Sequence, residues 1–343
     1  MAPANEGRRD LSATMMTQKP LDEHKVFVAG ATGMVGSAVV HALLDSSPTV
    51  AVKGTYRSNT GAFVDDDRVS YVQVDLRTRE GCREAVSGCS LAVLSAANTG
   101  GAMQTKTAPW QLVTDNVVME SLLLDAVHAE GIRKVVCLGT ATVYQDFDGF
   151  IREDQLDLNV DPHAAYLGVG WAKRYIEKQC AFWHQATDID ISVIRAANVY
   201  GPNAQFNPER SNFIAALVRK AVDRMDPFEV WGSLDVTRDV IYSSDVADAA
   251  VRMLSQCSGF NVFNIGSERT TSVGEICDIA LKCADHTPRE VRQLGDRPVT
   301  IKSRGLDCRK ARSELEWMPC VDINEGILRT MRWWESHKED WKR

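Results

Sequence analysis

No run of the 343-residue chain is apolar for long enough to cross a bilayer, and its first 24 residues contain no apolar core of signal-peptide length. The expectation is a flexible extension over residues 1–24 ahead of a soluble, cytoplasmic protein. Arg8 and Arg9 suit an organellar transit peptide, but Glu6, Asp10 and Asp22 argue against one. A long basic run is also missing and the formal net charge is -7, so a nucleic-acid partner lacks its electrostatic footprint. The nine cysteines show neither CxxC nor Cys/His spacing, which argues against a disulfide framework and against a zinc site. They read as reduced, mostly buried thiols. There is no internal repeat.

The chain has apolar residues in alternation: 44% are hydrophobic, enough for one large domain or two joined lobes. Strand-like runs "KVFVAG", "VAVKGTYR", "VSYVQVDL", "LAVLSAA", "KVVCLGT" and "DISVIRAANVYG" are separated by helical patterns near 35–45, 80–88, 112–130 and 164–186. Such alternation predicts right-handed crossovers and an α/β fold with a doubly wound parallel sheet. Beyond "NVYGP" the pattern loosens into helices near 211–224, 245–255, 272–284 and 322–337 with a strand near 228–231. The expected division is a nucleotide-binding domain over 25–200 plus about 239–265, and a smaller α/β lobe over 201–238 and 266–343. "RWWESHKEDWKR" reads as a packed final helix.

Between the first strand and helix stands "GATGMVG". Gly30 lets the chain turn off the strand, Gly33 lets backbone N–H groups approach a pyrophosphate, and Gly36 lets the helix lie close to the sheet. A helix N-terminus then meets the phosphates. The second strand ends in Arg57 and Ser58 rather than an acidic residue, which favours a 2′-phosphate and hence NADP, with NAD as the alternative.

The spacing resembles the short-chain dehydrogenase/reductase superfamily. Five segments in order, "VFVAGATGMVGSAVV", "DNVVMESLLLDAVHAEGIRKVVCLGTATVY", "ANVYGPNAQFNPERSNFIAALVRK", "VWGSLDVTRDVIYSSDVADA" and "FNIGSERTTSVGEI", resemble its nucleotide-sugar epimerase/dehydratase branch, near GDP-fucose synthase and UDP-galactose 4-epimerase. The resemblance implies a Rossmann-type sheet, a nucleotide-diphosphate sugar as substrate, and a homodimer through a four-helix bundle of the 112–130 and 164–186 helices. It assigns Thr32, Met34, Val35 and Asn116 to the cofactor beside the glycines, Asp75 and Leu76 to adenine, and Ala96 and Ala97 to the close passage of sugar and nicotinamide. It assigns Thr142, Asn198, Asn212, Trp231, Arg238 and either Arg219 or Lys220 to the substrate.

The same resemblance implies a catalytic Thr140 and a lysine, Lys173, fixed by Glu177 one turn on. The tyrosine that family places four residues before the lysine is absent: Val169 stands there, and the nearest tyrosine is Tyr166, seven residues before. Seven helical residues turn about 700° and rise about 10.5 Å, against about 400° and 6 Å for four. Tyr166 therefore shares the face of Lys173 one turn too far, unless Gly168 and Gly170 break the first turn. The alternatives for the acid/base are His163, a water or the substrate's own groups. Ala141 and Thr142 stand where family dehydratases carry Asp-Glu, and Thr142 and Asn212 stand where GDP-fucose synthase carries the Cys and His that epimerise C3 and C5. What survives is hydride transfer at one ring carbon, C4, as epimerase or ketoreductase. A reductase of a non-sugar carbonyl and a non-catalytic dinucleotide-binding protein are the competing readings.

Overall fold

A computed structural model describes residues 21–58, 62–99, 109–208, 210–295 and 303–341. Alternating apolar residues make the first strand. In β1 (Lys25–Ala29) Val26 and Val28 enter one core and Phe27 and Ala29 the other, as the two-residue period requires. The chain continues through α1 (Met34–Ser46), β2 (Ala51–Tyr56), β3 (Val69–Gln73), α2 (Arg79–Val86), β4 (Leu91–Leu94), α3 (Pro109–Glu130) and β5 (Lys134–Thr140). After a short β6 (Phe150–Ile151) come α4 (Leu167–Ala186), β7 (Asp190–Ala196), β8 (Asn198–Tyr200), α5 (Phe213–Val222), β9 (Phe228–Trp231), β10 (Thr237–Tyr242), α6 (Ser243–Gln256) and β11 (Phe260–Ile265). The last elements are β12 (Thr270–Ser272), α7 (Val273–Cys283), β13 (Val291–Leu294), β14 (Gly305–Leu306), α8 (Arg309–Leu315) and α9 (Ile323–Trp341).

Seven strands form one parallel sheet in the order β11-β7-β5-β4-β1-β2-β3, a Rossmann-type doubly wound arrangement. The strand order reverses between β1 and β4, and ligands of such sheets bind outside the carboxyl ends of the strands at that point. Val39 and Leu43 of α1 and Val246 and Leu254 of α6 cover one face. Leu123 and Val127 of α3 and Ile176 and Cys180 of α4 cover the other. A third core gathers Val218, Phe228, Val230, Ile276 and Ile327 beyond the sheet.

The sequence reading differs from this structure in four places. Residues 1–20 of the expected extension lie outside the described residues, but Leu21 is buried and the Asp22 carboxylate accepts from the Ser47 and Thr49 hydroxyls, so 21–24 are docked. The run "DISVIRAANVYG" divides: β7 stays in the large sheet, while β8 pairs with β10 in a separate three-stranded sheet with β12. Of the expected return over 239–265, only β11 joins the large sheet. Leu306, Cys308, Ala311, Leu315 and Trp317, expected in the smaller lobe, instead enter the core shared with β1 and α1, because α8 packs on α6 and β11. Trp334 of the final helix stacks on Phe206 at 4.3 Å. Among the described residues no helix is long and apolar enough to cross a membrane, and no cluster of His, Cys, Asp and Glu would hold a metal.

Candidate active site

The loop after β1 turns at Gly30, whose φ of +70° suits only glycine well and whose absent Cβ would stand 2.9 Å from the Ala96 Cα. The loop is tied to β2 by Gly30 N–H donating to Thr55 Oγ1 and Ala31 N–H to the Thr55 carbonyl, both at 2.9 Å. At Gly36 a Cβ would come within 2.1 Å of the Gly30 carbonyl oxygen, so the bare Cα lets α1 start directly against the turn. Gly33 is the N-cap and no side chain caps the helix, which leaves the first-turn amides of Met34 and Val35 for an anion. Thr32 is buried within the loop. These features fit the diphosphate of a dinucleotide.

Arg57, one residue past β2, is exposed and its guanidinium forms no ion pair with a described residue. Asp75 accepts from the Arg77 backbone N–H at 2.9 Å and from its guanidinium at 2.7 Å, and those bonds hold its carboxyl down at about 2. It is therefore a permanent acceptor beside the buried Leu76. Ala96 and Ala97 follow β4 with small side chains, as expected. Asn116 does something else. Its Oδ1 accepts from Asn98 N–H at 2.8 Å and its Nδ2 donates to the carbonyls of Asn98 and Leu112 at 3.0 and 2.6 Å, so it stitches the β4 loop to α3. Both Nδ2 hydrogens and one lone pair of Oδ1 are thus engaged by the protein.

Thr140 ends β5 and caps a single 3-10 turn, its Oγ1 accepting from Thr142 N–H at 3.3 Å. Thr142 Oγ1 is buried with no partner among the described residues. Neither Gly168 nor Gly170 breaks the following helix. Instead α4 starts three residues later than the apolar pattern suggests, and Tyr166 closes a separate 3-10 turn with φ -123° and ψ 13°. Its position outside the helix is what frees its ring from the seven-residue offset. Gly170 brings α4 onto the Thr142 turn, since a Cβ there would meet Pro162 at 2.6 Å and the Thr142 carbonyl at 2.7 Å. Tyr166 lines a cavity of about 80 Å³ with Thr140, Thr142, Asn198, Arg238 and Arg304. His163 caps the 3-10 turn, its Nδ1 accepting from Ala165 N–H at 3.1 Å, and is not in that lining.

Lys173 is buried and its Nζ donates to Glu120 Oε1 at 3.3 Å and to the Leu138 carbonyl at 3.1 Å. Glu177, the partner expected from the spacing, belongs to Arg195, which it meets through two bonds of 3.0 and 2.8 Å. The correction has a geometric cause: a guanidinium fork arriving from β7 matches a carboxylate better than an ammonium on the same helix does. Burial raises the Glu120 carboxyl while Lys173 opposes the shift. Sequence reasoning missed Glu120, although a lone acid inside the apolar run "VVMESLLL" is the signal that would have found it.

On the substrate side Asn198 Nδ2 donates to the Asp239 carbonyl at 2.8 Å, and Arg238 Nη1 donates to the Thr237 carbonyl at 2.7 Å. Burial lowers the Arg238 pKa. Lys220 lies beneath Trp231, its ammonium 5.3 Å from the ring centroid and bonded to the Glu229 carbonyl at 2.7 Å. Arg219 pairs with Asp223 one turn on, at 3.4 Å, so Lys220 is the member of that pair that meets the candidate tryptophan. Asn212 is the N-cap of α5, its Oδ1 accepting from Ala215 N–H at 2.9 Å; its side chain does the work of a cap rather than facing the cavity. Arg304 was unmarked by any motif. A larger hollow of about 660 Å³ between α1, α6 and α9 shares only Met34 with the candidate residues.

Residues 26–266 match the NAD dependent epimerase/dehydratase family. A putative GDP-L-fucose synthase 2 of Arabidopsis thaliana is 25% identical over 343 residues, covering 96% of this chain and 96% of that protein. The crystal structure of UDP-glucose 4-epimerase from Thermotoga maritima with UDP-glucose superposes with a TM-score of 0.80 at 21% identity, covering 92% of this chain and 99% of the other. The Thermus thermophilus UDP-glucose 4-epimerase in complex with NAD does so with a TM-score of 0.78 at 23% identity, covering 91% and 99%. With a family match spanning both the glycine turn and the Thr140–Lys173 segment, the chain belongs to the NAD dependent epimerase/dehydratase family.

Proposed function

We propose that this enzyme binds NADP, with NAD as the alternative, and interconverts an alcohol and a ketone at C4 of a nucleotide-diphosphate sugar, as a 4-epimerase or 4-ketoreductase. The observation that carries the reading is the shared cavity of Thr140, Thr142 and Tyr166. Gly30, Gly33 and Gly36, Arg57, Asp75 and Leu76 would hold the dinucleotide, which when bound supplies acceptance and return of a hydride. The chain's own task is the proton. As the phenolate, Tyr166 takes it from the sugar alcohol, and as the phenol it returns it to the ketone oxygen, while Thr140 and Thr142 orient that oxygen. Asn198 and Arg238 grip the diphosphate end, and Lys220 with the 41%-exposed Trp231 receives the nucleotide. Neither an acid pair after Thr140 nor a Cys/His pair at Thr142 and Asn212 is present, so the reading stops short of dehydration and of 3,5-epimerisation.

Titrating the purified chain with each dinucleotide tests the cofactor assignment. NADP should bind more tightly than NAD, and Arg57→Asp should weaken NADP by about 10- to 100-fold, the scale of one charge-assisted contact, while sparing NAD. Equal loss of both would remove Arg57 from the 2′-phosphate.

A homodimer is part of the same proposal. Trp171, Tyr175 and Phe182 form an exposed stripe on α4, with Phe182 62% exposed, beside Trp110 and Val118 on α3. An exposed aromatic stripe on one helix, beside exposed Trp110 and Val118 on the next, suits pairing across a two-fold axis into a four-helix bundle. Light scattering should return twice the 37.9 kDa chain mass, and the monomer mass at micromolar concentration would refute the bundle.

A further inference from the structure

Arg304 is only 7% exposed, yet among the described residues it has no carboxylate partner. Its Nη1 donates to the Ala141 carbonyl at 3.2 Å, while its Nε and Nη2 are buried with no hydrogen-bond partner among the described residues. Two unused donors on a buried cation are expensive to keep. Their position gives them a use. Ala141 stands between Thr140 and Thr142, and the guanidinium carbon lies 5.8 Å from the centre of the Tyr166 ring. Arg304 is therefore part of the lining of the same cavity, about 80 Å³, as Thr140, Thr142 and Tyr166.

We propose that Arg304 receives a carboxylate on the sugar ring, so that the substrate is a nucleotide-linked acidic sugar rather than a neutral one. This rests on the nucleotide-sugar reading and narrows it. A guanidinium presents Nε and Nη2 as one edge of a planar fork, which matches both oxygens of a carboxylate. Burial, helped by the neighbouring Arg238 and opposed by Tyr166 and Asp146, pushes the Arg304 pKa down to about 10, so it is still charged at neutral pH, and an anion in the cavity would oppose that push. The diphosphate is the competing anion. Its handle Arg238 lines the same cavity, but Arg304 is anchored to the threonine turn, where the reacting hydroxyl is oriented.

The test is calorimetric binding of UDP-glucuronic acid, UDP-glucose, GDP-mannuronic acid, GDP-mannose and UDP to the dinucleotide-loaded enzyme, repeated with Arg304→Met. In the wild type the acidic sugar of at least one pair should bind about 10- to 100-fold more tightly than its neutral counterpart, the range of a charge-assisted hydrogen-bond pair. In Arg304→Met that ratio should collapse toward one. A neutral sugar binding as well as its acid in the wild type would overturn the inference while leaving the nucleotide-sugar reading intact, and this arm needs no variant to fold. An equal loss for UDP and all four sugars in Arg304→Met would assign Arg304 to the diphosphate and overturn it too. No binding of any of the five would overturn the inference for uridine and guanosine diphosphate sugars.

Discussion

Lys173→Ala is expected to lose both turnover and stability. Its ammonium is buried against Glu120, whose second carboxylate oxygen has no partner among the described residues. Removing one member of a buried pair leaves an uncompensated charge, a loss of about 3–5 kcal/mol. Hydride transfer should fall by about 10²–10⁴-fold or more, since the family resemblance also implies that this lysine holds the nicotinamide ribose. The two effects separate in the paired replacement Lys173→Met with Glu120→Leu. An apolar pair of similar volume should recover the melting temperature. Turnover should stay lost, and wild-type turnover in the paired variant would take Lys173 out of the catalytic machinery.

Tyr166→Phe should fold and bind dinucleotide as the wild type does, because the ring and its place in the cavity lining remain. Its turnover should drop by about 10²–10⁴-fold, the usual contribution of a positioned general acid/base. Steady-state rates beside a dinucleotide titration read both. Unchanged turnover would show that the proton travels by another route. Adding Val169→Tyr to the Phe variant then asks whether the four-residue spacing still works here; Val169 lies in the first turn of α4, so a tyrosine there would approach from the helix rather than from the 3-10 turn.

The main sheet was legible because its determinants are local. Apolar alternation and glycine turns marked β1 to β5 and β7, and the boundaries of α1 and α2 fall within two residues of the expected ones. Short elements such as β12, β14 and α8 carry too few residues for a period to emerge, and Leu315 and Trp317 return to the first core through tertiary contacts alone. The site divides the same way. The glycine cradle is a matter of backbone, and backbone needs are written in sequence. Side-chain partnership is not: Glu120 rather than Glu177 meets Lys173, Asn116 and Asn212 turn to neighbouring backbone, and Arg304 reaches Ala141 across 163 residues. Tyr166 was the intermediate case. Its candidacy was visible from the missing family tyrosine, while its reach depended on α4 starting at Leu167.

In the proposed reaction one hydrogen moves as hydride at a single ring carbon while Tyr166 handles the proton. The most direct measurement follows that hydrogen. UDP-glucose and GDP-mannose carrying deuterium at C4 are turned over in ordinary water, with their uronic counterparts alongside, and mass spectrometry reads label in the recovered sugar, dinucleotide and solvent. All of the C4 deuterium is expected to be conserved between sugar and dinucleotide, with none lost to water. Loss of the label to solvent, or no transfer from any of the four sugars, would contradict that reaction.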